Sequence, residues 1–445
     1  MKIPQIFLVE SHHRAGSLAK VLAAIAEAGL VLQDLESIRR HQDKTVWELT
    51  LEVDPAEEQA VIEKINALPN ARVLGKSDRV FKRHLGGKTR TVSTRTILSM
   101  RMLRDVYTPG VAQVCLAIQK NPSLARTYTS LASTVAIVTN GTAILGLGAI
   151  GAVPGLPVME GKAALFAELV GLSGVPILLN ETDPQKIVEI VCAIAPSFGA
   201  IQLEDIAAPT CFAVEEALMS RLGIPVMHDD QHGTATVVLA AILNACRLTN
   251  RDLSRSVVGQ IGLGAAGLGL ARLLRATGTG RLLGTDLRPE ALERLSAAGG
   301  EPASLEEIMA QSDVVVALSG VPGLIKPQMV RQGQIILALS NPEAEISPRL
   351  ALEQGAAYAS DGRSVNNILA FPGLFKGALE AGASRFTEAM YTRAARCLAQ
   401  LAPHGELVPD PLDRAVHQAV AAAVYEEVCG QTYQAPPGAS NDAEA

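Results

Sequence analysis

The chain opens on alternating periods. Gln5–Val9 reads as a strand, and after Gly16 and Ser17 the residues Leu18, Val21, Leu22 and Ile25 recur at helical spacing until Gly29 stops the run. Leu30–Ile38 reads as a second strand. In Val46–Val53, Trp47, Leu49, Leu51 and Val53 fall on one face and Glu48, Thr50 and Glu52 on the other, the signature of a half-buried strand. Asp54-Pro55-Ala56-Glu57 supplies a cap, an N1 proline and an N3 glutamate for a helix lined by Val61, Ile62, Ile65 and Leu68. Ala71–Gly75 closes the unit, and the order βαββαβ predicts a ferredoxin-like domain.

Ser77–Thr94 is polar and basic and reads as a solvated linker. Ile97–Leu103 predicts a short helix, and Tyr107-Thr108-Pro109-Gly110 a turn into another. Val135–Val138 and Ala143–Leu147 are expected strands around a turn at Asn140-Gly141. Gly148–Lys162 is rich in glycine and proline, with Lys162 expected at the start of an apolar helix carrying Leu165, Phe166 and Leu169. Val175–Leu179 is a strand, and Asp183-Pro184 starts a helix to Ala195. Further strands are expected at Val257–Ile261, Arg281–Thr285, Asp313–Leu318 and Gln334–Leu339, with helices at Ser304–Ala310, Phe386–Leu401 and Leu412–Cys429. The tail Gln434–Ala445 is rich in proline, glycine, serine and acid and is expected to be disordered.

The candidate chemistry gathers in Gly199–Ala235. Two apolar runs, Ala200–Leu203 and Gly223–Met227, each end in acids: Glu204 and Asp205 on the first, Asp229 and Asp230 on the second. Parallel-strand ends are where α/β proteins place their sites, and carboxylates crowded there need a cation or a shared proton. All-oxygen donors suit Mg²⁺ or Mn²⁺ better than zinc; loop acids facing water are the plainer alternative. Lys162 becomes a candidate base if it lies buried near carboxylates, and a snorkelling surface residue otherwise. Tyr107, in a turn beside a helix start, is a candidate acid or a packing residue. His228 and His232 flank the acid pair and are expected to orient the loop rather than bind metal.

A second signal is Gly262-Leu263-Gly264-Ala265-Ala266-Gly267, which follows one strand and opens a helix, as pyrophosphate binding at a helix N-terminus requires. The next strand ends at Asp286, at about the ~20-residue distance of a ribose-binding carboxylate. Asp286 favours NAD; Arg288 keeps NADP as an alternative.

The formal net charge is −6 over 445 residues, with no large basic field, so nucleic acid is not an expected partner. The start, MKIPQIFLVESHH, lacks the apolar core of a signal peptide. No apolar run reaches the ~20 residues that span a bilayer, so no membrane association is expected. Six scattered cysteines without a CxxC suggest neither disulfides nor zinc, and point to the cytoplasm.

The loop HHRAGSLAKV after the first strand resembles the loop-to-helix segment of ACT regulatory domains, with His13 where that family commonly has Asp. The resemblance implies an amino-acid effector at a pairwise interface, or a dimerisation module. TPGVAQVCLAI, TNGTAILGLGAIG, PVMEGKAALF, FGAIQLEDI, PVMHDDQHGTATVVLA, LSNP and VNNILAFPGLFKGAL together resemble the bacterial malic enzymes over residues 93–400. That resemblance implies divalent-metal-dependent oxidative decarboxylation of malate to pyruvate and CO₂ with reduction of NAD. It assigns the metal to Glu204, Asp205 and Asp230, and places Asp229 near a catalytic Lys162. It makes Tyr107 the acid, and puts Asn341 and Asn367 against nicotinamide and malate. Ala149 stands where relatives carry Asp or Asn, so recognition of the malate carboxylates is unassigned.

The expected organisation is α/β throughout. An ACT-like regulatory domain spans residues 1–80, a substrate and metal domain 93–248, and a Rossmann NAD-binding domain with C-terminal helices 249–433, followed by the tail 434–445. The expected assembly is a homo-oligomer, dimer or higher. Malolactic turnover to lactate, a preference for NADP, an amino-acid dehydrogenase and a non-catalytic amino-acid sensor are the competing readings.

Overall fold

In the computed structural model, residues 3–144, 146–340, 343–363 and 365–433 are described. The chain forms two compact units, Met1–Lys88 and Thr89–Ala445.

The first unit follows β1 (Ile3–His12), α1 (Ser17–Glu27), β2 (Val31–His41), β3 (Lys44–Val53), α2 (Glu58–Asn66) and β4 (Ala71–Lys76). Its sheet runs β2-β3-β1-β4 with every pair antiparallel. The core sits under the helices: Phe7 and Val9 of β1 and Leu49, Leu51 and Val53 of β3 pack with Val21, Ile25, Val61 and Ile65. The alternation seen in Val46–Val53 is thus spent on one covered face. The expected linker after residue 76 is not wholly irregular, because α3 (Arg79–His84) forms there and Arg79 pairs with the buried Glu48 at 2.7 Å.

The second unit begins with α4 (Met100–Val106), α5 (Val111–Lys120) and α6 (Ala125–Tyr128). A first parallel sheet then assembles from β5 (Thr134–Thr139), α7 (Ala152–Val170), β6 (Ser173–Leu178), α8 (Pro184–Ile194), β7 (Ala200–Leu203), α9 (Thr210–Arg221), β8 (Val226–His228) and α10 (Asp229–Leu248), in the order β6-β5-β7-β8. A second, six-stranded parallel sheet follows. It comprises β9 (Val257–Ile261), α11 (Ala265–Ala276), β10 (Arg281–Thr285), α12 (Pro289–Ala297), β11 (Glu301–Pro302), α13 (Leu305–Gln311), β12 (Val314–Ala317), β13 (Ile335–Ala338), α14 (Pro348–Glu353) and β14 (Tyr358–Asp361), ordered β11-β10-β9-β12-β13-β14. α15 (Phe371–Glu380), α16 (Glu388–Leu401) and α17 (Arg414–Cys429) close the unit. Because β9 lies between β10 and β12, the strand order reverses at the β9–β12 boundary, the crevice where such sheets bind ligands.

Three expectations change. Ala143–Leu147 is not a strand among its described residues: Ile144 bridges to Gly148, closing a tight turn. α7 starts at Ala152, through the glycine- and proline-rich stretch, so Lys162 lies in mid-helix rather than at its start. Two strands beyond the four expected, β11 and β14, join the second sheet at its two edges. The expected tail 434–445 lies outside the described residues.

Candidate active site

The acids sit where two short, wholly buried strands stop. β7 delivers Glu204 and Asp205; after β8 the chain turns straight into α10, whose first turn carries Asp229 and Asp230. Carboxylates at a helix N-terminus meet the favourable end of its dipole. Asp205 holds a left-handed backbone, φ 54°, and its N–H donates to Asp230 Oδ2 at 3.0 Å, which ties one strand end to the other. Glu204, Asp205 and Asp230 each offer an oxygen, and these atoms lie within 4.8 Å of one another. Asp205 Oδ2 is buried without a hydrogen-bond partner. A buried acceptor left without a donor is what a cation would satisfy, so the residues fit an oxygen-liganded divalent ion.

Lys162 reaches this cluster from α7. Its Nζ lies 2.5 Å from Asp229 Oδ2, 3.2 Å from Glu204 Oε1 and 3.2 Å from Asn367 Oδ1, and 4.4 Å from the centre of the Phe371 ring. Burial pushes its ammonium down, but Asp229 and Glu204 outweigh that and hold it above its ordinary value. Burial drives Glu204 well above the usual carboxylate range, against the pull of Lys162 and with Asp230, Asp229 and Asp205 adding to it. Burial and the charge of Asp230 push Asp205 up to about 7. Asp230 is the exception: burial would raise it, yet the neighbouring His228, with Nε2 at 3.3 Å, keeps it low.

A further buried acid supports the strand end. Glu215 of α9 accepts the His228 backbone N–H at 2.7 Å and the His232 ring at 3.0 Å, and that ring stacks on Tyr391 with centroids 4.7 Å apart. Sequence reading passed over Glu215, since an acid on an amphipathic helix carries no mark of burial. Tyr107 is not brought to the cluster: it caps α4 with two-thirds of its surface exposed. Asn341 lies outside the described residues.

At the reversal point of the second sheet, Gly262-Leu263-Gly264-Ala265-Ala266-Gly267 joins β9 to α11. Gly262 has φ 91°, and a Cβ there would lie 2.8 Å from Ser319 Cα. Gly264 faces open space, leaving backbone free for a pyrophosphate, whereas a Cβ on Gly267 would strike Gln260 Nε2 at 2.8 Å. Asp286 Oδ2 accepts the Leu263 N–H at 2.8 Å, and Oδ1 pairs with Arg288 Nε at 3.0 Å. The two sites share a wall, because Gly269 of α11 packs against Gln231 of α10, where a Cβ would lie 2.6 Å from the Gln231 carbonyl oxygen.

An acid cluster with a buried lysine on one parallel sheet, joined to a dinucleotide crevice on a second, defines an α/β oxidoreductase. Family models match "Malic enzyme, N-terminal domain" at residues 86–219, "ACT domain" at 6–70 and "D-isomer specific 2-hydroxyacid dehydrogenase, NAD binding domain" at 229–321. The chain is 50% identical to NAD-dependent malic enzyme 1 of Bacillus subtilis over 94% of its own length and 96% of that protein's. It is 38% identical to the NAD-dependent malic enzyme of Geobacillus stearothermophilus, covering 92% and 91%. The crystal structure of malic enzyme from Pyrococcus horikoshii superposes with a TM-score of 0.75 at 36% identity, over 79% of this chain and 90% of that one. The chain belongs to the malic enzyme family, with an ACT domain at its N-terminus.

Proposed function

We propose that the chain converts malate to pyruvate and CO₂ while reducing NAD, with a divalent cation, Mg²⁺ or Mn²⁺, held by Glu204, Asp205 and Asp230. The observation that carries this reading is Lys162 Nζ at 2.5 Å from Asp229 and 3.2 Å from Glu204, against a trio of oxygens that can share one ion. Bound there, the cation supplies a Lewis acid for the C2 oxygen of malate, and the nicotinamide supplies the hydride acceptor. Lys162 removes the C2 hydroxyl proton, oriented by Asp229 and Asn367. C3 takes up a proton after CO₂ has left; the resemblance gives that role to Tyr107, which in this chain is exposed and apart from the cluster. Asn341 and Asn367 contact nicotinamide and substrate. Residues 262–267 hold the pyrophosphate and Asp286 the ribose.

Arg288 is engaged by Asp286, which favours a free 2′-hydroxyl and hence NAD over NADP. A homo-oligomer is supported by the apolar residues that α4, α5 and their neighbours expose: Leu98, Met100, Tyr107, Leu116 and Tyr128 are each more than half exposed. An amino-acid effector would have to bind in the first unit, where a cleft of about 140 Å³ is lined by Asn70 and by Glu10, Lys44 and Arg72, with Glu10 pairing to each of the two bases at 2.9 Å. Free cysteines support a cytoplasmic location; among the described residues no helix is long and apolar enough to cross a membrane.

The test is turnover with malate and Mn²⁺, run in parallel with NAD and NADP, quantifying pyruvate, lactate and reduced nucleotide. Pyruvate and NADH in equal amounts are expected. Lactate without net NADH would make the reaction malolactic, and no turnover would end the reading.

A further inference from the structure

Glu345 is wholly buried, carries a carboxylate and has no part in the chemistry above. Its Oε1 accepts three hydrogen bonds: from the Ser319 N–H at 2.8 Å, the Ser319 hydroxyl at 2.8 Å and the Ser340 hydroxyl at 2.5 Å. Oε2 accepts the Ser340 N–H at 3.4 Å. The Ser340 hydroxyl also accepts the Gly320 N–H at 2.8 Å. Ser319 and Gly320 follow β12, and Ser340 follows β13, so one carboxylate gathers the C-terminal ends of two adjacent strands. Burying a carboxylate is costly and persists only where donors repay it.

These strand ends border the nucleotide crevice. The Leu318–Ser319 backbone is what a side chain on Gly262 would collide with, at 2.5 Å from the Leu318 oxygen and 2.8 Å from Ser319 Cα. The loop that Glu345 fixes is therefore the wall against which the first glycine of the phosphate-binding turn is seated.

We propose that Glu345 is a positioning residue for the dinucleotide: it sets the β12 and β13 loops so that the crevice is preformed for NAD. This rests on the NAD-binding reading. The experiment measures NADH dissociation by fluorescence on the full chain, without malate, beside steady-state kinetics with NAD. Glu345→Ala removes every acceptor and is expected to raise the NADH dissociation constant and KM for NAD together, about tenfold, the size of one charge-assisted bond, with kcat within threefold. Glu345→Gln can keep an oxygen where three of the four donors converge and is expected to bind NADH within about threefold of wild type. A merely structural role would lower the folded fraction and kcat while leaving the dissociation constant in place. Unchanged NADH affinity in folded Glu345→Ala, or equal losses in both variants, overturns the inference. If Glu345→Ala does not fold, Ser319→Ala decides: weaker NADH binding supports the proposal and wild-type affinity overturns it. NADH binding by a wild type that turns over no malate would overturn the reaction assigned above and leave the Glu345 measurement standing; wild type that binds no NADH overturns both.

Discussion

Replacing Gly233 by alanine tests the site without removing any functional atom. Gly233 lies in the second turn of α10, where Gly→Ala ordinarily stabilises a helix by about 1 kcal/mol. Here the added methyl would land on Asp229 Oδ1, 2.9 Å from its Cγ and 3.4 Å from Asn367 Cβ. Asp229 and Asn367 are the two residues that hold Lys162 Nζ, at 2.5 and 3.2 Å. The carboxylate is wholly buried, so it cannot swing into water; it must turn away from the methyl and, with it, from the lysine. Relief requires a shift on the order of 1 Å, and a misplacement of that size costs about 10²-fold in rate. The expected result is kcat down about 10²-fold, NADH affinity within twofold, and a melting temperature within a few degrees of wild type. The assay is steady-state turnover with malate, NAD and Mn²⁺ beside NADH fluorescence titration. Turnover within threefold of wild type would show that the Asp229–Lys162 geometry does not limit the reaction.

Lys162→Met should lower kcat by 10²–10⁴-fold, roughly the worth of a general base, and leave NADH binding unchanged. Asp286→Ala should weaken NADH binding by about tenfold, the worth of a charge-assisted bond to the ribose; wild-type affinity would remove Asp286 from the nucleotide site. Chelating the cation should abolish turnover and expose a pH dependence of stability. Asp205, at about 7 in the folded chain, lies above the ~3.9 of an unfolded aspartate, so the folded state holds a proton that the unfolded state has lost, and stability falls as pH rises between those values. Glu204 and Asp229, also raised, act in the same sense, whereas Asp230, held low, and Lys162, held high, keep their charges throughout this window. Without cation, the melting temperature should therefore fall from pH 5 to pH 8, and Mn²⁺ should restore more degrees at pH 8 than at pH 5. An equal gain at both would remove the crowded carboxylates as its source.

What the residues disclosed beforehand follows their physics. Val46–Val53 of the first unit carries its own alternation, and the glycine turn of the nucleotide site needs only local backbone freedom, so both were legible. α7 was misread because Pro154, Gly155 and Pro157 argue against a helix. Gly155 is required there, since a Cβ would meet Ile144 Cδ1 at 2.7 Å, a contact visible only after folding. Ala143–Leu147 has the apolar content of a strand but spends it on a turn. Glu215 and Glu345 escaped notice for the same reason: an acid's burial is decided by donors from distant segments. Asn367, placed on nicotinamide and malate by resemblance, meets Lys162 from 205 positions away, a pairing no spacing rule contains.

The electrostatics of the cluster bind the proposed roles together. Four carboxylates, Glu204, Asp205, Asp229 and Asp230, crowd one ammonium, Lys162. Burial, with the neighbouring acids adding to it, leans Glu204 and Asp205 towards their neutral forms, and burial does the same to Asp229 against the pull of Lys162. Asp229 and Glu204 more than offset the burial that would otherwise lower the affinity of Lys162 for its proton. In the proposed reaction, a divalent cation held by Glu204, Asp205 and Asp230 would offset part of the cluster's negative charge. That would weaken the hold of Glu204 on Lys162, while Asp229, the nearest carboxylate, would remain. Asp229, outside the trio, keeps the amine in place without itself being a ligand. The proposed metal ligands and the proposed base therefore share one electrostatic setting: Glu204 meets both the lysine and the oxygen trio, so a cation on the trio would be felt at Lys162.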